Sequence, residues 1–425
     1  MTGDRTDSAG PVQLSDPVRL GGPAAGGTCV GHAPGTTIFV RGGLPGESVR
    51  VRVTGTSRGG RITFADVTDV LDPSPHRVVP PCPLTASCGG CDLQHVAVEF
   101  QREWKAQVLR DQLGRIGRVQ QIAGVPLTQA VTVQGVEMPE APEGLGWRTR
   151  VGIDTDAKGR ACFHSHRSGR LVPIDACPVV VPQLQDGFGH TWPAKTRVDI
   201  ALGEAPTAWA AGPLREVPAG WRSTATVTRA AQGRRWRVGT GSFWQAHALA
   251  PEVLLACIRE FTAPQAGEAV LDLYAGVGLF AGALAKDVGD DGRVAAVEGD
   301  ERAIRLARRN LHDLPSVRLH QGAVSAWLGT EAGREVVAGV DVIVLDPPRA
   351  GAGKEVVAAL AASAARAIAF VACDGASLAR DARTFAGHGW SLAALRAFDL
   401  FGMSHHVEAV ALFLPPTSHL VPPTS

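Results

Sequence analysis

Residues 268–285 read EAVLDLYAGVGLFAGALA. An apolar run ends at Leu271–Asp272, and Gly276 and Gly278 follow directly. Continuous apolar text of this kind predicts a strand buried on both faces, and the glycines predict a tight turn into a helix. Such a turn lets the backbone approach a bound nucleotide closely. Domains that bind NAD and domains that bind S-adenosylmethionine both use it, and the full G-x-G-x-x-G spacing is missing, which leans away from NAD.

The same grammar recurs downstream. VAAVEGD at 294–300 ends a strand on Glu298, a carboxylate placed to accept hydrogen bonds from both hydroxyls of a ribose. VDVIVLDPPRAG at 340–351 ends another on Asp346, and Pro347 and Pro348 fix an extended, rigid loop. A buried strand has no packing need for an acid and two prolines there. Many methyltransferases acting on planar nitrogens or nucleobases carry a D/N-P-P loop of this kind. AIAFVACD at 367–374 ends a third strand on Cys373. The strand–helix rhythm predicts a doubly wound, Rossmann-like α/β domain over residues 236–425, with ligands beyond the carboxyl ends of its strands.

A lone cysteine after an apolar run is usually a small core residue. Glu408, before the apolar AVALFL, reads alone as a solvent-facing strand residue. Together the two fit one reaction. Carbon 5 of uracil takes a methyl group only after a thiolate has added to carbon 6, and a base must then remove the carbon-5 proton.

The first half is built differently. Residues 1–15 are expected to be disordered. Over 16–75, TIFV, SVRVRVT and RITFADV are short strands with period-two alternation between Gly-rich turns, which predicts a small OB-like barrel, a frequent nucleic-acid binder. DPSPHRVVPPCP marks a linker. Residues 76–235 form a small central α+β region. It opens with an amphipathic helix near 96–117, expected to pack on the catalytic domain, with Phe100, Trp104, Val108 and Leu109 at helical spacing and basic residues elsewhere. Cys82, Cys88 and Cys91 cluster in CPLTASCGGCDLQH, with Cys177 or Cys162 as a fourth ligand. Four thiolates suit zinc or an iron–sulfur cluster equally.

Composition narrows the class. Hydrophobic residues make up 45% of the 425 and charged residues 20%, which supports packed cores and argues against wholesale disorder. No apolar window of about 18 residues predicts a membrane span, and the polar start lacks the apolar core of a secretion signal. Eight cysteines are too few for a disulfide scaffold in so long a chain. A cytoplasmic, multidomain protein is expected, with no obligate protein partner evident. Residues 1–237 hold 27 Lys+Arg against 21 Asp+Glu, and the remainder 15 against 20. The basic residues cluster at Arg50, Arg52, Arg58 and Arg61, at Arg148–Arg170, and at Arg234, Arg235 and Arg237, which favours a phosphate-backbone partner on that side.

The order of these motifs, from about residue 16 to 415, resembles the RNA uracil-C5 methyltransferase family that carries an N-terminal TRAM domain. The resemblance implies that the barrel is a TRAM domain that binds RNA, either ribosomal or transfer RNA. It implies a [4Fe–4S] cluster on Cys82, Cys88, Cys91 and, by the match of IDACPV, Cys177, with Cys162 a bystander. It implies S-adenosylmethionine contacts at Gln245 in SFWQAH, Tyr274 in DLYAG, Glu298 and Asp346, with Cys373 as nucleophile and Glu408 as base. A monomer is typical of the family. The chain departs from the family in three places. It has Ala372, Cys373, Asp374 and Gly375 where S-C-N-P is usual, His247 for an asparagine, and Ala323 for an acid. An ionised Asp374 beside the thiol would raise its pKa. The competing readings are a non-catalytic RNA-binding iron–sulfur protein and an RNA N-methyltransferase. Arg349 stands where the latter's loop usually has an aromatic.

Overall fold

The structure, a computed structural model, describes residues 14, 16–33, 35–57, 59–166 and 168–416. The tail read at 1–15, apart from Leu14, lies outside them, as do Arg58 and Arg167 of the basic clusters. Among the described residues no helix is long and apolar enough to cross a membrane.

Five strands close a barrel: β1 (Val18–Ala24), β2 (Thr28–Ala33), β3 (Thr36–Arg41), β4 (Ser48–Thr56) and β5 (Ile62–Asp72). Their order is β1-β2-β3-β5-β4, with β4 returning to β1 and only the β3–β5 pair parallel. Closure removes the exposed edges that short strands otherwise present. Alternate residues Val18, Leu20, Ile38, Val40, Val49 and Val51 fill the interior. The barrel does not stand apart: Leu93, Val96 and the wholly buried Trp104 join the same core. Arg77 of the Pro-rich segment forms a forked ion pair with the buried Glu47 (2.6 and 2.7 Å), which pins that segment to the barrel wall.

Helix α1 (Val98–Arg115) follows. Its buried residues are Gln101, Trp104, Lys105, Ala106, Leu109 and Leu113. The stripe differs from the sequence reading, because Phe100 and Val108 are only half-buried and Lys105 is fully inside. Trp104 faces the barrel core, whereas Leu109 and Leu113 face the C-terminal sheet's core, so α1 bridges the two.

The central part is a six-stranded sheet centred on Arg150–Thr155 and Arg197–Leu202, packed on Trp147, Trp192 and Trp221. The hairpin Thr226–Ala231 with Arg234–Gly239 puts Trp236 into the core of the last sheet.

That last sheet has eight strands in the order 317–321, 293–298, 269–273, 342–345, 367–372, 408–414, 391–399 and 133–135. The first five are parallel, and Glu408–Leu414 runs antiparallel against Ala367–Ala372. Strand order reverses between Ala269–Leu273 and Val342–Leu345, the topological switch point where open α/β sheets bind ligands.

Candidate active site

At the switch point Leu273 pairs with Leu345, so Tyr274 and Asp346 emerge together at the carboxyl ends. Gln245 approaches from the loop before the helix Ala250–Thr262 and donates from Nε2 to Asp346 Oδ2 at 2.9 Å. Glu298 ends the neighbouring strand. Its Oε2 accepts from Gly276 N at 2.7 Å and its Oε1 from Asp300 N at 2.6 Å. Each oxygen keeps a lone pair free, so the carboxylate is aimed without being used up. Tyr274, Glu298 and Asp346 thus gather at the carboxyl ends of neighbouring strands, with Gln245 bonded to Asp346.

The turn beneath them is strained. Tyr274 has φ +62°, Gly276 +57° and Gly278 +93°. A left-handed tyrosine costs roughly 1–2 kcal/mol. Beside Gly276 a Cβ would meet only open space. Asp272 lies below, wholly buried, and accepts from Ala281 N at 2.8 Å, while its Oδ1 has no partner. Burial, then the nearby Asp346 and Glu298 carboxylates, push Asp272 up to about 8. Burial also pushes Asp346 up to about 7.

Cys373 follows the strand Ala367–Ala372, and Glu408 opens the antiparallel strand beside it. The register Ala372↔Ala409 brings the two side chains to one level. Burial pushes the Cys373 thiol up to about 11; Glu408, Asp346 and Asp374 add to this, and the Arg349 cation opposes it. Burial and Asp346 hold Glu408 well above the usual carboxylate range, again against Arg349. Asp374 also acts on its own backbone, capping the helix Gly375–Gly387 by accepting from Ser377 N at 2.8 Å.

The cavity beside Cys373 is lined by Gly26 of the barrel, Lys105 and Gln112 of α1, Asp374, His405 and His406. Sequence reasoning missed this wall. Lys105 Nζ lies 2.5 Å from Asp399 Oδ1 and donates to Phe401 O at 3.1 Å. Its one sequence signal is its place between Gln101 and Leu109 on the buried stripe. No signal in the sequence announces the β1–β2 tip or His405, which pairs with Asp92 across 313 positions.

Away from the cleft, Cys82, Cys88, Cys91 and Cys177 line one cavity together with Arg148. Cys162 sits buried in the strand Ala161–His164, outside that lining. Burial pushes Cys91 up to about 12 and Cys177 to about 11. Among the described residues no three ligating side chains are grouped as a single metal ion requires.

Several clustered arginines already have partners within the chain, Arg148 and Arg234 partly buried and Arg235 exposed. Arg148 Nε donates to Arg150 O at 3.0 Å, Arg234 pairs with Asp313, and Arg235 pairs with Glu204. Arg50, Arg52 and Arg61 remain exposed on the barrel.

A family model described as "Methyltransferase small domain" matches residues 247–375. An uncharacterized RNA methyltransferase of Streptomyces avermitilis is 41% identical over 94% of this chain and 98% of its own. The 23S rRNA (uracil(1939)-C(5))-methyltransferase RlmD of Pseudomonas entomophila is 33% identical over 92% of this chain and 91% of its own. The chain belongs to the RNA (uracil-C5) methyltransferase family. The fold of this family member is shared by the Pyrococcus abyssi tRNA (uracil-54, C5)-methyltransferase, solved in complex with S-adenosyl-L-homocysteine. Their TM-score is 0.69 at 21% identity, covering 93% of this chain and 99% of that one.

Proposed function

We propose that the protein methylates carbon 5 of a uridine in ribosomal or transfer RNA, with S-adenosylmethionine as donor and Cys373 as covalent nucleophile. The observation that carries this reading is the meeting of Cys373 and Glu408 at adjacent strand ends, beside a cleft rich in carboxyl groups. A uridine acceptor in RNA is also what the names of the RlmD relatives state for those proteins.

The cleft fits the donor. Asp272 and Asp346 are raised, and among the described residues no cation offsets either, so a ligand bearing sulfonium and ammonium charges would relieve both. Gln245, Tyr274, Glu298 and Asp346 would hold it. When bound, it supplies a methyl group on a good sulfur leaving group. Cys373, as thiolate, adds to carbon 6 and drives electrons onto carbon 5. Carbon 5 takes the methyl as the carbon–sulfonium bond breaks. Glu408, as carboxylate, then removes the carbon-5 proton, and the carbon 6–sulfur bond breaks to return the Cys373 thiolate.

The four-cysteine cavity fits a [4Fe–4S] cluster held by Cys82, Cys88, Cys91 and Cys177. The Cys88, Cys91 and Cys177 thiols, raised by partial burial, stay protonated until a metal displaces the protons. The cluster's role would be structural, tying the 82–91 loop to Cys177; no step of the transfer needs it. The barrel and its exposed Arg50, Arg52 and Arg61 would meet RNA phosphates.

Incubation with labelled S-adenosylmethionine and unmodified ribosomal or transfer RNA should yield 5-methyluridine on nucleoside mass spectrometry. No transfer to either RNA would refute the assignment. Protein purified without oxygen should carry about four irons per chain; one zinc per chain would replace the cluster reading.

A further inference from the structure

A run of side-chain contacts leads from the cysteine loop to Arg349, and the reaction above leaves it unused. Asp92 Oδ2 lies 2.5 Å from His405 Nδ1. The His405 and His406 rings are 4.1 Å apart, centroid to centroid. His406 Nε2 lies 3.2 Å from Arg349 Nη2. A guanidinium only donates, so Nε2 accepts and the imidazole proton sits on Nδ1. Arg349 is the cation that acts on both Cys373 and Glu408.

Exposure makes that contact matter. Arg349 is exposed, on the loop after Pro347 and Pro348. An arginine side chain has about 2 kcal/mol of rotamer entropy, so a free one would spend little time beside one thiol. Its hydrogen-bond partner among the described residues is His406, which is half-buried between His405 and the edge of Phe401. The barrel closes the arrangement from behind. A Cβ on Gly27 would lie 2.5 Å from Asp92 Cβ and 3.5 Å from His405 Cβ, so the hairpin tip backs both residues.

We propose that His406 is a positioning residue for methyl transfer: it clamps the Arg349 guanidinium beside the Cys373–Glu408 pair, and His405, seated on Asp92, braces the clamp. The role rests on the reading of Cys373 as nucleophile, but its measurement does not. The charged and titratable groups facing Cys373 are Glu408, Asp346, Arg349, Asp374, Lys105, His405 and His406. His406 itself stays neutral, because burial and the charges of His405 and Arg349 push it down to about 3. It therefore works through Arg349 and not by its own charge.

The test is alkylation of Cys373 by iodoacetamide in the full-length protein, read by peptide mass spectrometry between about pH 7 and 10, where the rate follows the thiolate fraction. His406→Phe should slow alkylation roughly three- to tenfold at fixed pH, a shift of half to one pKa unit. Arg349→Met should do the same, and His406→Phe should add nothing in the Arg349→Met background. His406→Gln, whose amide oxygen can accept in place of Nε2, should stay near the wild-type profile. An unchanged profile in His406→Phe, or a full additional effect on top of Arg349→Met, would overturn the clamp. Should His406→Phe not fold, Arg349→Met and His406→Gln carry the same comparison: both behaving alike refutes the proposal. If Cys373→Ala keeps methyl transfer while His406→Phe still shifts alkylation, the nucleophile reading fails and the clamp stands.

Discussion

The two sides of the cleft are assembled in different ways. On the proposed donor side, Tyr274, Glu298 and Asp346 each sit just past or at the end of a parallel strand, and Gln245 reaches Asp346 with one hydrogen bond. The proposed acceptor side draws on the β1–β2 tip, α1, the Cys373 loop and residues 405–407, parts of the chain separated by up to the whole length of the fold. The donor side is therefore fixed by local chain geometry at a switch point. The acceptor side exists only while the barrel and α1 stay docked through Trp104 and the Lys105–Asp399 pair. Damage to the two sides should separate in binding experiments.

The strongest break of that comparison is Cys373→Ala. Losing a nucleophile should cost at least about 10,000-fold in turnover, while S-adenosylhomocysteine binding, measured by calorimetry, stays unchanged. Near-normal turnover would reduce Cys373 to a strand-end core residue. Glu408→Gln comes next, with a loss of ~100- to 10,000-fold typical of a removed base. It should leave a methylated protein–RNA adduct that survives denaturing electrophoresis and disappears when Cys373 is also replaced. An adduct that forms without Cys373 would move the nucleophile elsewhere.

What could be read in the sequence follows the same division. Glu298 and Asp346 are legible because a buried strand accommodates an acid most readily at its end, and chain order alone places those ends together, whereas Cys373, a core residue when read alone, needed the chemistry of uracil. Glu408 needed the chemistry of uracil to be noticed, since one register pair decides whether it faces solvent or Cys373. Lys105 was hidden by its type. A lysine on an amphipathic helix reads as solvated, and only the packing of α1 against Asp399 turns it inward. The arginine clusters were legible only as charge: sequence counts charges but not their partners, and Arg148, Arg234 and Arg235 each have one within the chain, whereas Arg50, Arg52 and Arg61 stay exposed on the barrel.

A smaller effect sharpens the role of the barrel. Removing it whole would strip Trp104, Leu93 and Val96 of their cover, so a truncation confounds RNA binding with stability. Gly27→Ala is cleaner. Gly27 has φ +68°, and its Cβ would meet Asp92 at 2.5 Å. Gly46→Ala is the control, with φ +84° and open space beside it, so it carries the backbone strain without the collision. Gly27→Ala should lower kcat/KM for RNA about 10- to 100-fold, as ångström-scale misplacement does, with S-adenosylhomocysteine affinity intact. Equal losses in both variants would mean that the hairpin tip has no part in the acceptor wall.

The smallest effect tests the donor side by its electrostatics. Asp272 and Asp346 are held in the fold at about 8 and about 7, against 3.8 for an ordinary aspartate. Between those values the folded chain keeps protons that the unfolded chain has lost. Their contribution to stability is full below about pH 4 and is lost as pH rises through 7 and 8. The ligand-free melting temperature should thus fall across that window, by about 2–4 °C for each kcal/mol lost in a domain of this size. Asp272→Asn keeps an acceptor for Ala281 N but cannot ionise, so it should flatten the slope. A cationic ligand prefers the ionised carboxylates. The stabilisation by S-adenosylmethionine should therefore grow with pH, and that by S-adenosylhomocysteine, which lacks the sulfonium charge, should grow less. A ligand-free melting temperature that rises from pH 5 to 8 would mean that both acids are already ionised and paired. The cleft would then have no unmet negative charge with which to favour the sulfonium.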